Sequence, residues 1–344
     1  MATIRDVARE SGVSVGTVSN VLNNRNEPVR AETRQKVLSA ARLLNYQPNA
    51  MARGLVRRKS GALGILFHTT AAAVALDPYT SALLQGILRA AAEARQALVL
   101  YPEPWRSVAA SASLVGDRRV DGMLVIAPAA DDATLAALTG LGFPLVFVSA
   151  TVPTGTGAAA VDVDNEQGAR LAAEHLLALG HRRMAHLRGD HHQASALQRE
   201  SAFREALAGS GVSLREEDVL SCTYQGTEGY DATRALLARP EGAAPTAIFA
   251  ANDRLAVAAL QAARDAGVEV PGRLSIVGFD DAPAASLTTP ALTTIRQPLP
   301  QIGETAVRLL SQAIQGDGPA PANHLLAPEL VVRGSTAPPP PLTA

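Results

Sequence analysis

One cysteine, one tryptophan, five tyrosines and six phenylalanines are spread thinly through 344 residues. The lone Cys222 excludes an intramolecular disulfide and fits a reducing compartment, so stability has to come from packing. Its thiol reads as a small buried side chain. Aromatics at 3% within a hydrophobic content of 47% describe cores of Ala, Val and Leu rather than of rings. No apolar run approaches the ~18 residues of a membrane span. The charged start is unlike a secretory signal, so a cytoplasmic protein without membrane association is expected. Catalytic signatures are also missing: no Walker loop, no Gly-x-Gly-x-x-Gly after a strand and no Ser/His/Asp order. Asp280 and Asp281 form an adjacent carboxylate pair, but neighbours following a strand point in different directions. His181, His186, His191 and His192 fit no standard zinc spacing. No enzyme activity, metal or cofactor is expected. Low complexity is confined to Pro338–Pro341, which places a stiff, disordered tail over 336–344.

What is present begins at Thr3. Thr3 is a good N-cap, and Asp6 can return a bond to its backbone N–H, as in a capping box. Ile4, Val7 and Ala8 give one apolar face, and Ser11-Gly12 supplies a left-handed stop. Ser14 can cap a second helix whose Val18, Val21 and Leu22 face inward. Val15, Gly16, Thr17, Ser19 and Asn20 are left outward, towards a partner. A third helix follows from about Ala31 to Leu44, with Val29, Thr33, Val37, Ala41 and Leu44 at three-to-four-residue spacing. Two short helices joined by a tight turn and backed by a third are the arrangement that lays one helix in a DNA groove. Charge agrees: residues 1–60 hold eleven Lys/Arg against four acids, a net of +7. With the whole chain at −1, residues 61–344 carry −8. A basic head on an acidic body suits phosphate neutralisation by one end of the molecule.

Length requires two or three domains. From Gly61 short apolar runs alternate with helical stretches. Strands are predicted at 63–67, 97–101, 123–126 and 145–148, with helices near 80–95, 107–116 and 132–140 between them. A second series begins at Ala159–Val163 and continues with strands at 184–187, 247–250 and 274–279 and helices near 165–179, 196–210, 227–237 and 252–266. Two βα series imply two doubly wound lobes with parallel sheets, and ligands of such sheets sit beyond the carboxyl ends of the strands. Asn252, Asp253, Asp280, Asp281 and Gln297 fall just past predicted strand ends, and Arg199 opens a helix. Amides, carboxylates and an Arg are the groups that grip sugar hydroxyls, each of which both donates and accepts. Asn252 and Asp280 also precede helical stretches and could cap them, a role compatible with ligand contact, and core packing suits Phe279 about equally.

The run Thr3–Asn23, Glu32–Val37 and Leu44-Asn-Tyr-Gln-Pro-Asn49 resembles the headpiece of the lactose-repressor (LacI/GalR) family of bacterial transcription regulators, and the two βα series resemble its core. The resemblance implies an α/β protein with an N-terminal three-helix helix-turn-helix headpiece plus a two-lobed periplasmic-binding-protein-like core. It places the DNA-binding domain at 1–49, a hinge helix and linker at 50–60, and the effector-binding and dimerisation core at 61–335. Its N-lobe spans about 61–160 and 292–323, and its C-lobe about 161–291 and 324–335. A homodimer would bind double-stranded, near-palindromic operator DNA through Thr3, Ser14, Val15, Gly16, Thr17, Ser19, Asn20, Asn23, Arg30, Asn49, Ala52, Leu55 and Val56. Within that set Asn20 and Val15 would read base edges, Thr17 and Ser19 would hold phosphates, and Leu55 would wedge into the minor groove. A small-molecule effector, a sugar or sugar derivative, would meet Asp77, Tyr79, Ser149, Arg199, Tyr224, Asn252, Phe279, Asp280 and Gln297. The expected outcome is a repressor; a sugar-binding protein without a regulatory role is the alternative, which would need export. Many sugar-binding relatives carry an acid where this chain has Ser149.

Overall fold

In a computed structural model the chain forms two units, Met1–Gly61 and Ala62–Ala344. The structure describes residues 2–22, 29–47, 59–67, 77–101, 119–128, 132–140, 142–152, 157–224, 227–240, 242–316 and 322–341. Asn23, Asn49, Ala52, Leu55 and Val56, and the helix expected at 107–116, lie outside the described residues.

The first unit holds α1 (Ile4–Ser11), α2 (Val15–Leu22) and α3 (Ala31–Leu43). Thr3 and Asp6 make the reciprocal cap: Thr3 N–H donates to the Asp6 carboxylate at 2.9 Å, and Asp6 N–H donates to the Thr3 hydroxyl at 3.4 Å. Gly12 exits α1 at φ +67°, where a side chain would be strained. Thr17 N–H donates to Ser14 Oγ at 3.1 Å, so Ser14 caps α2. Val7, Ala8, Val18, Val21, Val37, Ala40 and Ala41 close a small core among the three helices. Such a core is too small to tolerate many truncations.

The second unit is two six-stranded sheets. The first lobe is built from β1 (Ala62–Phe67), α4 (Pro78–Glu93), β2 (Ala97–Tyr101), β3 (Gly122–Ile126), α5 (Asp132–Thr139), β4 (Leu145–Val148) and β5 (Ala159–Val163). The second holds α6 (Asn165–Ala178), β6 (Met184–Arg188), α7 (Ala194–Gly209), β7 (Val219–Ser221), α8 (Thr227–Leu237), β8 (Ala247–Ala250), α9 (Asp253–Asp265), β9 (Ser275–Asp280), α10 (Pro283–Leu287) and β10 (Thr293–Arg296). The chain then supplies α11 (Leu299–Gln315), β11 (Asn323–Leu326) and β12 (Glu329–Val331). Strand order is β11-β5-β4-β3-β1-β2 in one sheet and β12-β10-β9-β8-β6-β7 in the other. Every pairing is parallel except β10 with β12. Parallel strands covered on both faces need continuous apolar runs, and β1, β3 and β4 are buried throughout.

The lobe boundaries differ from those expected. Ala159–Val163 is not the start of the second series but the fifth strand of the first sheet, so the first crossing comes after Val163 rather than at 160. Residues from 292 on do not return at once to the first lobe, because β10 pairs with β9 in the second sheet. The return comes after Arg296, and α11 packs on α4 of the first lobe. β11 stays in the first sheet through Leu326, beyond the crossing expected near 323. Hydrophobic runs alone cannot say which sheet accepts an interchangeable apolar strand. The tail is also corrected at its start: Thr336 bonds His175 Nε2 at 3.0 Å, and Ala337 N–H donates to Ser275 Oγ at 3.0 Å. The packed chain therefore reaches at least Ala337.

Candidate effector cavity and DNA-facing helix

In the first unit, Ser14, Val15 and Gly16 form the exposed start of α2, with Val15 42% exposed despite being apolar. Thr17, Ser19 and Asn20 are half-buried, and Arg30 is exposed ahead of α3. The Ser14 hydroxyl lies 2.9 Å from that of Thr17, and the Thr3 hydroxyl donates to Asp6, so all three hydroxyls already serve helix ends. A Cβ added at Gly16 would touch only Ser14 Oγ, at 3.6 Å. The protein itself therefore has no steric need for glycine there.

In the second unit, a cavity of about 630 Å³ opens between the lobes. Both sheets have the order 2-1-3-4-5 along β2-β1-β3-β4-β5 and β7-β6-β8-β9-β10, with the strand direction of travel reversing between the first and third members. A crevice opens at such switch points, and Phe67 and Ile126 from one lobe and Asp190 and Asn252 from the other line it. The volume falls within the range of small-molecule sites.

Eight of the nine expected effector residues line this cavity: Asp77, Tyr79, Ser149, Arg199, Tyr224, Asn252, Asp280 and Gln297. Phe279 does not. It is fully buried, with the Arg199 guanidinium carbon 3.6 Å above its ring centre, so it supports Arg199 from below. On a strand buried on both faces, alternate residues cannot all reach the cleft. Asn252 serves two roles: its Oδ1 caps α9 by accepting from Leu255 N–H at 2.9 Å, and its Nδ2 stands 3.5 Å from the Tyr224 carbonyl. Tyr224 lies over Gly189, where a Cβ would come within 2.3 Å of its ring. Only glycine admits the ring at that place. Tyr79 and Ser149 share a hydroxyl–hydroxyl bond within the first lobe. Asp77 caps α4 and also meets Arg254 of the second lobe at 3.5 Å.

Asp253 and Asp281 have structural partners. Asp253 accepts from the Thr294 hydroxyl and from Ala282 N–H, while Asp281 is held by Arg296 and Arg333. Asp280 accepts from Gln297 Nε2 at 2.6 Å, and Gln297, 4% exposed, leaves its Oε1 without a partner among the described residues. A buried acceptor without a donor is costly, and a ligand donor would relieve it. Arg199, 4% exposed, donates through Nε to Asn165 Oδ1 at 2.9 Å and through a terminal nitrogen to the Ala251 carbonyl. It makes no ion pair among the described residues, so a buried guanidinium faces the cavity held by neutral acceptors only.

Burial dominates the electrostatics. It pushes Asp162 up to about 6, with Arg199 and the Val163 N–H opposing. It raises Asp280 well above the carboxylate range, reinforced by nearby Asp253 and opposed by Arg199. Asp253 itself rises to about 6 for the same first reason. Burial also raises the Tyr79 and Tyr224 phenols, so both stay protonated donors near neutrality. The His186 imidazole is driven down to about 4 by burial against Phe249 and Phe203. Cys222 is buried and its thiol is pushed up to about 11, leaving it inert as a nucleophile.

Sequence reasoning missed Asp162, Asp190, Gln193, Ser195 and Arg254, all of which line the cavity. Asp162 lies within an apolar strand read only as core. Asp190 and Gln193 follow β6, and the rule that selected Asn252 after β8 would have found them. Asp190, His191 and His192 bring ligand-type atoms within 4.8 Å of one another, and the two histidines are exposed.

Residues 3–49 match the family model described as bacterial regulatory proteins, lacI family, and residues 173–336 match the periplasmic binding protein-like domain. Over 340 residues the chain is 34% identical to the HTH-type transcriptional regulator GalS of Salmonella typhimurium, spanning 98% of this chain and 97% of that protein. The Lac repressor dimer bound to operator and the anti-inducer ONPF superposes with a TM-score of 0.85 at 32% identity, covering 98% of this chain and 99% of that one. The transcriptional regulator CelR in complex with cellobiose gives 0.74 at 30% identity, covering 97% and 100%. Headpiece, two-lobed core and end-to-end likeness agree: the chain belongs to the LacI family of bacterial transcription regulators.

Proposed function

We propose that this chain is a repressor that binds a near-palindromic operator as a homodimer and is controlled by a saccharide held in the interlobe cavity. The cavity carries the reading: Asn252, Asp280 and Gln297 converge on it from strand ends and Arg199 from α7, and Gln297 Oε1 lacks a donor among the described residues. Rings of hydroxyls satisfy such a mixed donor and acceptor set. Interlobe contacts already present, Arg254 with Asp77 and Gln198 with Thr151, give closure something to make or break. An effector shifts DNA affinity only if it binds the open and closed arrangements differently.

The DNA side has the exposed start of α2 and a net charge of +7 over residues 1–60. Val15 and Asn20 would meet base edges, while Thr17, Ser19 and Arg30 would hold phosphates. Leu55, outside the described residues, is assigned the minor-groove wedge. The test is fluorescence anisotropy with the promoter fragment beside the gene, titrated with salt and then with a saccharide panel. The expected results are a steep loss of affinity with salt, a saccharide-dependent change in affinity, and weaker operator binding by Leu55→Ala at unchanged saccharide affinity. A Leu55→Ala protein that binds the operator like wild type would remove the wedge.

A further inference from the structure

The first lobe's only expected acid-bearing position beyond Asp77 is held by a neutral residue. Ser149 sits at φ +56°, its hydroxyl bonded to Tyr79, so it offers the cavity no charge and has a partner already. β5 runs beside β4 with Val148 opposite Val161, and Ser149 N–H donates to the Val161 carbonyl at 2.9 Å. The next residue along β5 is Asp162, carried to the same carboxyl edge one strand over. It is 3% exposed and lines the cavity.

Its orientation is set by a short polar chain. Val163 N–H donates to Asp162 Oδ1 at 2.8 Å, and Asn165 Nδ2 donates to Oδ2 at 3.0 Å. Asn165 Oδ1 in turn accepts from Arg199 Nε at 2.9 Å. Asp162 and Arg199, from opposite lobes, are thus linked through the crossing segment rather than paired with each other. A carboxylate has about four acceptor positions, so Asp162 keeps capacity for a ligand donor.

We propose that Asp162 supplies the first lobe's carboxylate to the effector and restricts the cavity to uncharged or amino-bearing saccharides, against phosphorylated or carboxylated ones. This rests on the cavity being the effector site. Asp77, Asp162, Asp190, Asp253 and Asp280 line it against Arg199 and Arg254, and Asp77 is already matched to Arg254. An added anion would meet carboxylates from both lobes where water is scarce, and repulsion there is strong. A hydroxyl or ammonium donates to both. The phosphate or carboxylate of an acidic sugar would meet two guanidinium groups that are both already engaged, Arg254 with Asp77 and Arg199 with Asn165 and Ala251. Burial of Asp162 adds to its demand for a donor, since an ionised buried carboxylate gains most from being hydrogen-bonded.

The experiment is calorimetric titration of the full-length protein with glucose, galactose, glucosamine, cellobiose, lactose, glucose 6-phosphate and glucuronate. Wild type should bind a neutral or amino member at least about tenfold more tightly than either acidic one. Asp162→Asn, with Asp162→Ser as a second variant, should weaken that saccharide by about ten- to a hundredfold, as expected for a lost bond to a charged group, and narrow the gap to the acidic probes. A purely structural role would lower all ligands in proportion and leave the ratio unmoved. The proposal is overturned if both variants keep wild-type affinity, if the ratio is unchanged, or if wild type prefers glucose 6-phosphate or glucuronate. Asn252→Ser separates the two readings: if saccharide binding survives it unchanged, or no probe binds wild type, the cavity reading itself falls and this one with it.

Discussion

Gly16 and Asn252 show how one residue can answer to two demands. Gly in a helix costs roughly 1 kcal/mol relative to Ala, and at Gly16 no neighbour forbids a methyl, the nearest atom lying at 3.6 Å. Gly16→Ala should therefore stabilise the headpiece to thermal melting while weakening operator binding; an unchanged operator affinity would take Gly16 out of the interface. At Asn252 the cap and the cleft contact use different atoms of one amide. Asn252→Ser keeps an oxygen for Leu255 N–H but removes Nδ2. Its melting temperature should fall less than that of Asn252→Ala, which loses the cap at a cost of about 1 kcal/mol, while both lose saccharide affinity. Equal melting temperatures would show that the serine does not cap.

At the scale of elements, α4 and α11 press backbone to backbone in the first lobe. A Cβ on Gly86 would lie 1.9 Å from the Pro300 carbonyl oxygen, and one on Gly303 2.4 Å from that of Leu83. Propensity favours Ala at Gly303 by about 1 kcal/mol, but the clash is with backbone that cannot swing aside, and overpacking costs about 1–3 kcal/mol or more. The clash should win: Gly303→Ala lowers the urea midpoint of the core, and a midpoint at or above wild type would contradict the packing described. This helix pair is hard to read from sequence because α11 opens on two prolines, Pro298 just before it and Pro300 in its first turn, that resemble a loop. Pro at the start of a helix is permitted, since the first N–H groups have no partner there. By contrast α1 was legible to its ends, because Thr3, Asp6 and Gly12 act locally and need no distant partner.

At the scale of the whole molecule, buried ionisable groups pull stability in opposite directions with pH. His186 is held neutral in the fold, its value lowered to about 4 against the ordinary 6.5. As pH falls below 6.5 the unfolded chain takes up a proton that the folded chain refuses, so stability is lost down to about 4. Asp162 and Asp253 are raised to about 6, so the folded chain holds their protons longer and their contribution runs the other way between about 6 and 4. The imidazole's share is isolated by difference. The melting temperature of His186→Leu relative to wild type should improve as pH drops from 7.5 to 4.5, and a pH-independent difference would mean that the fold does not shift the His186 imidazole from its ordinary value.

Local chemistry in the sequence determined the headpiece caps and turn, the charge division between head and body, and most strands of the two lobes, because each depends on neighbours within a few residues. It also placed Asn252, Asp280 and Gln297 at the cavity, since a residue past a strand end reaches the same rim in any parallel sheet, while Asp77, Tyr79, Ser149 and Tyr224 came from the family resemblance. Tertiary structure alone decided which sheet takes β5 and β10, because apolar strands are interchangeable until their neighbours are present. It likewise turned Phe279 inward beneath Arg199 and brought Asp162, hidden in an apolar run, to the cavity. Those outcomes depend on register against a partner strand, a quantity that no single segment contains.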